Sequence, residues 1–257
     1  MVVLKNVQGV PMTEVSMFIP CTADLLMPEI GEAVYHLLRI LGKTPVYHEE
    51  QTCCGQPAIS AGYRQPAREA AKHFISVFEK DAVIVCPSGS CIYTLRYDYP
   101  RLLQDEPEWL ERAASVAART YELSQYVVDI LKVTDIGSQF EGKAAFHESC
   151  KNLRGLGISE QPKQMIQGVR GTELVPLNSA EVCCGFGGEF SFNFPNISEA
   201  MVKAKTRNFI DSGADVLIIS EPGCLLNIAG YLKRHHPDRK AVHLANFLVD
   251  SQQGGPA

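Results

Sequence analysis

Two adjacent cysteines followed by glycine occur twice in this chain, at Cys53-Cys54-Gly55 and Cys183-Cys184-Gly185, 130 positions apart. Two further cysteine-bearing segments recur with them. Phe18-Ile19-Pro20-Cys21 is echoed by His147-Glu148-Ser149-Cys150 at an offset of 129, and Pro87-Ser88-Gly89-Ser90-Cys91 by Glu221-Pro222-Gly223-Cys224 at an offset of 133. A fourth echo joins Leu123-Ser124-Gln125-Tyr126 to Leu244-Ala245-Asn246-Phe247 at the shorter offset of 121. A repeat of this length in 257 residues sets the architecture before any finer reading. We expect two pseudo-symmetric halves, residues 1–135 and 136–257, with an insertion in the first near "YDYPRLLQDEPEWLERAASVAART".

Within each half, short apolar and β-branched runs alternate with stretches of helical periodicity. Residues 15–19, 45–47, 82–85 and 121–123 read as strands in the first half, with 144–146, 173–176, 216–219 and 241–244 in the second. The stretch "ADLLMPEIGEAVYHLLRIL" between the first two reads as an amphipathic helix. Strand and helix in alternation predict an α/β fold, each half a small parallel sheet flanked by helices. In such sheets ligands gather at the carboxyl ends of the strands. Cys21, Cys91, Cys150 and Cys224 each follow a predicted strand at that edge.

Composition narrows the chemistry. Apolar residues make up 46% and charged residues 21%, the balance of an ordinary globular chain. A net charge of −5 with no run of lysine or arginine argues against nucleic acid. The apolar runs are too short to span a bilayer and the first twenty residues lack a signal-peptide core, so no membrane insertion and a cytoplasmic location are expected. Nine cysteines in a reducing compartment point to metal ligation or redox work rather than structural disulfides.

The spacing then selects among metals. In the first half 31 residues separate Cys21 from Cys53 and 36 separate Cys54 from Cys91; the corresponding gaps in the second half are 32 and 39. Structural zinc usually draws on two short knuckles, and neither half has two. Adjacent cysteines diverge, which suits an extended iron–sulfur cluster better than one tetrahedral ion. The expected ligands are Cys21, Cys53, Cys54 and Cys91 for one site and Cys150, Cys183, Cys184 and Cys224 for the other. Gly55 and Gly185 allow positive φ or a close approach of backbone to sulfur, and Gly187 and Gly188 add freely oriented N–H groups. As a dinucleotide fingerprint the latter segment fails, because Phe190 holds the third glycine position and no strand leads into it.

The segments "CCGQPAISAGY", "PSGSC", "DEPEW", "CCGFGGEFS" and "CLLNIAGYL", spread over nearly the whole chain, resemble the CCG or cysteine-rich domain family. That family includes the B subunit of heterodisulfide reductase and the iron–sulfur subunit of glycolate oxidase, and the closer resemblance is to its lactate-utilisation members. The resemblance implies 4Fe–4S chemistry, one or two clusters per chain, in a cytoplasmic complex that oxidises L-lactate to pyruvate with a ferredoxin-like B subunit and a C subunit. The heterodisulfide reductase form of the motif ends in a cysteine pair two residues apart, and here Ser88 and Glu221 stand where the first of that pair would be.

Three further residues bear on the site. Cys86 has Ser220 as its counterpart and reads as a buried thiol. His147 and Glu221 are the candidates for substrate or proton chemistry, both expected around the second set of cysteines, with Glu221 a hard oxygen donor in place of a thiolate. Three functions compete: an electron-transfer subunit acting on lactate with its partners, a thiol or disulfide reductase subunit, and a zinc-stabilised assembly module.

Overall fold

The computed structural model describes residues 13–252, so the outermost positions of both expected halves lie outside the described residues. In the first half β1 (Glu14–Met17) leads into α1 (Cys21–Leu26) and α2 (Pro28–Ile40). Next, β2 (Thr44–Tyr47) is followed by α3 (Gln56–Ser60) and α4 (Arg64–Phe78). Then β3 (Ile84–Cys86) runs into α5 (Gly89–Tyr93), a π-helical turn (Thr94–Asp98), α6 (Tyr99–Leu102) and α7 (Pro107–Ala117). The half closes with β4 (Thr120–Glu122), α8 (Leu123–Gln125) and a second π-helical turn (Tyr126–Ile130).

The second half repeats the plan. It comprises β5 (Gln139–His147), a π-helical turn (Lys151–Leu156), α9 (Glu160–Gln167), β6 (Arg170–Leu174), α10 (Glu189–Asn193) and α11 (Pro195–Asp211). It ends with β7 (Val216–Ile219), α12 (Pro222–His235), β8 (Lys240–His243) and α13 (Leu244–Asp250). Each half holds one four-stranded parallel sheet, ordered β2-β1-β3-β4 and β6-β5-β7-β8. The reversal of strand order lies between β1 and β3 and between β5 and β7, where a crevice opens beyond the strand ends. The inserted element of the first half is α7, because the helical run 89–102 matches α12 in length and nothing in the second half follows α12 before β8.

Burial explains the elements. The central strand β7 is apolar throughout, with Val216, Leu217, Ile218 and Ile219 all buried, as expected of a parallel strand covered on both faces. On α2, Ile30, Ala33, Val34, Leu37 and Leu38 form one buried stripe. The amphipathic stretch read as one helix is two, broken at Met27 (φ −146°, ψ 58°), because Pro28 disfavours helical backbone in the residue before it. Most strands are displaced by one or two residues from the expected bounds, and two differ more. β5 begins at Gln139, five residues early, where half-exposed polar positions pair with β6 through an irregular register, and β6 ends at Leu174 ahead of Pro176, which has no N–H to donate.

The halves interlock by exchange. α13 of the second half packs on α2 of the first, and α8 with its π-helical turn packs on α9. Asn246 Nδ2 donates to Glu29 O at 2.9 Å across one contact, and Gln161 Nε2 to Asp129 Oδ2 at 2.8 Å across the other. The same exchange brings α5 against the π-helical turn after Cys150, so the two crevices face each other. Among the described residues no helix is long and apolar enough to cross a membrane.

Candidate metal centre between the two halves

Each cysteine of the repeat sits where the backbone has just left a strand. Cys21 opens α1 after β1, Cys91 lies in the first turns of α5 after β3, Cys150 precedes its π-helical turn after β5, and Cys224 lies in the first turn of α12 after β7. Helix N-termini favour negative charge, so these positions suit thiolates. Ser88 caps α5, its hydroxyl accepting from the Cys91 N–H at 3.5 Å, and Pro222 opens α12 at a position where no N–H is required.

The adjacent cysteines diverge. Cys53 Sγ meets Cys21 Sγ at 3.5 Å, while Cys54 Sγ meets Cys91 Sγ at 3.4 Å. In the second half Cys183 pairs in the same way with Cys150, and Cys184 with Cys224. All nine cysteines are free thiols. The glycine after each pair takes positive φ, +83° at Gly55 and +86° at Gly185, and donates its N–H to the first sulfur of the pair at 3.4 Å. Thiol donors from the neighbouring cysteines, reinforced by these amides, pull Cys53 and Cys183 below the ordinary thiol range. Cys21, Cys54, Cys150 and Cys184 are pushed up, first by donating to a neighbouring sulfur and then by burial. Sulfur atoms so crowded are suited to holding a metal.

All eight of these cysteines line a single cavity of about 690 Å³ between the halves. Its lining also includes Gly187, Gly188, Lys151, Ser88, Ser90 and Glu221. At its mouth stand Phe192, 81% exposed, and Tyr63, 65% exposed. Two residues from the rest of the fold hold the paired cysteines in place: Tyr99 Oη donates to Cys54 O at 2.8 Å and Asn227 Nδ2 to Cys184 O at 3.0 Å. They do the same job in opposite halves with unrelated side chains, which is why the repeat did not flag them. The usable signal was Asn227 lying three residues, about one helical turn, after Cys224.

Glu221 does not join the second set of cysteines. Its buried carboxylate crosses to the first half, where it accepts from Ser88 Oγ at 3.0 Å, Ser90 N at 2.9 Å and Ser90 Oγ at 3.0 Å. The physical reason is the packing of the halves, which sets the start of α12 opposite the unsatisfied N–H groups that open α5. Burial, and after it the nearby Cys91 thiolate, raises the Glu221 carboxyl to about 7. His147 does lie with the second set. Among the described residues, His147, Cys184 and Cys224 are the group of three whose ligand atoms all fall within 4.8 Å of one another. Cys86 is fully buried and off the cavity lining, donating to Ser88 O at 3.7 Å and also to Cys91.

The sequence matches the CCG cysteine-rich domain family over residues 15–96 and 144–229, one copy in each half. The chain belongs to this family. CCG relatives named lactate utilization protein A are similar to it along nearly their whole length. The Exiguobacterium sp. protein is 45% identical over 92% of this chain and 97% of its own, and that of Oceanobacillus iheyensis is 39% identical over 95% and 100%. A solved structure of a hypothetical protein from Helicobacter pylori shares the fold, with a TM-score of 0.65 over 95% of this chain and 49% of that one at 12% identity. The CCG signature thus marks the elements that hold the two cysteine sets.

Proposed function

We propose that this chain is the iron–sulfur electron-transfer subunit of an assembly that oxidises L-lactate to pyruvate. The observation that carries the reading is the convergence of two four-cysteine sets on one cavity. The relatives named for lactate utilisation supply the substrate.

The donor set fits the cofactor. Cys21, Cys53, Cys54 and Cys91 would hold one centre, and Cys150, Cys183, Cys184 and Cys224 the other. Neither set of four thiols closes on one ion-sized point, as a single tetrahedral metal requires. When bound, iron–sulfur centres of the 4Fe–4S kind supply one-electron storage and transfer. The chain's own residues then do the remaining work. Gly55 and Gly185 aim N–H groups at sulfur and stabilise negative charge there, and Gly187 and Gly188, both at positive φ, form the turn of the second rim. Glu221 Oε1 and Oε2, held by three donors between the two sets, keep a proton available near neutral pH.

The chain acts with partners, a ferredoxin-like subunit and a third subunit, because stored electrons must arrive from and leave to other carriers. The apolar rim of Phe192 and Tyr63 around the cavity suits a protein face better than bulk water. Cytoplasmic placement belongs to the same reading, because a reducing compartment keeps cysteines in such number available as ligands. A second reading, zinc at one site, draws support from the compact group of His147, Cys184 and Cys224. The test of the subunit reading is reconstitution: the metal-loaded chain alone should leave lactate unoxidised, and activity should appear when the partner subunits are added. Turnover by the chain alone at the rate of the whole assembly would overturn it.

A further inference from the structure

The two cysteine sets differ in what stands behind them. At the end of β1, Phe18 is fully buried and packs edge-on against Phe74 at 4.7 Å and Phe78 at 5.7 Å between ring centroids. The repeat places His147 at the corresponding end of β5, also buried, with 1% of its surface exposed. An aromatic hydrocarbon fills this position in one half, so packing alone does not ask for an imidazole in the other. Neither His147 ring nitrogen makes a hydrogen bond of full geometry; the one polar group it approaches, the Ala180 carbonyl, is already shared by Glu148 N and Lys205 Nζ. Buried polar atoms are left without partners only rarely, and each such case needs a reason. The neighbouring Lys205 ammonium supplies none, being engaged by the carbonyls of Ser179 and Ala180.

We propose that His147 is a metal ligand, so that the second centre is a mixed imidazole–thiolate site while the first is held by thiolates alone. A ring nitrogen of His147 lies within 4.8 Å of both Cys184 Sγ and Cys224 Sγ, a spread that one metal atom can bridge. The imidazole is a neutral donor, so a thiolate placed at position 147 would add negative charge to the centre and lower its reduction potential. The inference rests on the reading that the second cysteine set holds a metal, and its test keeps the two apart.

The full-length protein, labelled with ¹⁵N only in histidine, is loaded anaerobically either with iron and sulfide or with cobalt(II). Metal and sulfide contents are measured first, and nitrogen hyperfine coupling is then read from the paramagnetic form. The expected result is the strong coupling of a directly bound imidazole, present in the parent and in His243→Gln but absent in His147→Phe. His147→Cys should keep its metal content and lose the coupling, with its second centre shifted to lower potential. Bound metal with weak coupling only would make His147 a hydrogen-bond donor and overturn the proposal while leaving the cluster reading standing. Uptake of cobalt with strong coupling, but of no iron or sulfide, would keep the ligand and reject the clusters. Uptake of neither would overturn both.

Discussion

The two halves share a backbone plan and differ in the side chains that back their cysteines. At the first site Phe18 fills the strand end and Cys86 donates to Cys91; at the second His147 takes the place of the phenylalanine and Ser220 that of the cysteine, its hydroxyl accepting from Asn152 Nδ2 at 2.9 Å. The chain keeps what delivers four thiols to the rim: strand ends, helix starts and a left-handed glycine. It varies what surrounds them. The same division holds at the ends of β4 and β8, where Glu122 caps α8 and His243 caps α13, the one an acid and the other a base. The backbone geometry is repeated while the chemistry around it differs between the halves.

The largest effect expected from this comparison is loss of metal. Cys54→Ser and Cys184→Ser should each remove about half of the bound iron and sulfide, leaving the other site filled. Loss of all metal from either single variant would mean one shared centre and would break the two-site account.

The glycines after the cysteine pairs come next. A Cβ on Gly185 would sit 2.7 Å from Ser198 O and 2.9 Å from Met201 Cβ, whereas one on Gly55 would meet Ala70 Cβ at 3.2 Å. Both carry the left-handed cost of about 1–2 kcal/mol, so Gly185→Ala should destabilise the metal-free chain by about 3 kcal/mol and Gly55→Ala by roughly half that, in denaturant unfolding. Equal losses would show that the second loop yields as readily as the first.

The caps give opposite pH slopes. Burial raises the Glu122 carboxyl to about 7 from 4.5, so the folded chain keeps a proton that the unfolded chain releases, and its stability falls as pH rises through that window. Burial lowers His243 to about 4 from 6.5, so the folded chain refuses a proton that the unfolded chain takes up, and stability is lost as pH falls from 6.5 to about 4. Glu122→Gln should gain about 2–3 kcal/mol relative to the parent between pH 5 and pH 8, with its amide nitrogen on the side where Oε1 has no partner. His243→Gln should gain stability relative to the parent as pH falls from 6.5 to about 4, and a constant difference between the two across that window would assign the acid loss elsewhere. Smallest are the residues that hold the paired cysteines: Tyr99→Phe and Asn227→Ala should each cost about 1 kcal/mol, a single hydrogen bond to a peptide carbonyl.

Much of this was legible because the repeat aligns what the fold aligns. Cys21, Cys91, Cys150 and Cys224 were expected at strand ends and are there, since a parallel sheet sends every strand's carboxyl end to the same rim. The division of 23–41 at Met27 was written in Pro28, but the helical periodicity on either side masked it. Glu221 was misplaced for a different reason: its neighbours in sequence belong to α12, while its partners Ser88 and Ser90 lie 133 and 131 positions away and meet it only once the halves pack. Tyr99 and Asn227 were silent because hydrogen bonds to a carbonyl need only a donor of the right reach, whatever the residue type.

The central claim is that the two cysteine sets are iron–sulfur sites, and it is tested most directly by the iron and acid-labile sulfide content of the full-length protein purified without oxygen. The account predicts both elements together, with the total divided between the two sets when Cys54→Ser and Cys184→Ser are measured alongside the parent. Stoichiometric zinc with neither iron nor sulfide, persisting after anaerobic reconstitution, would contradict it.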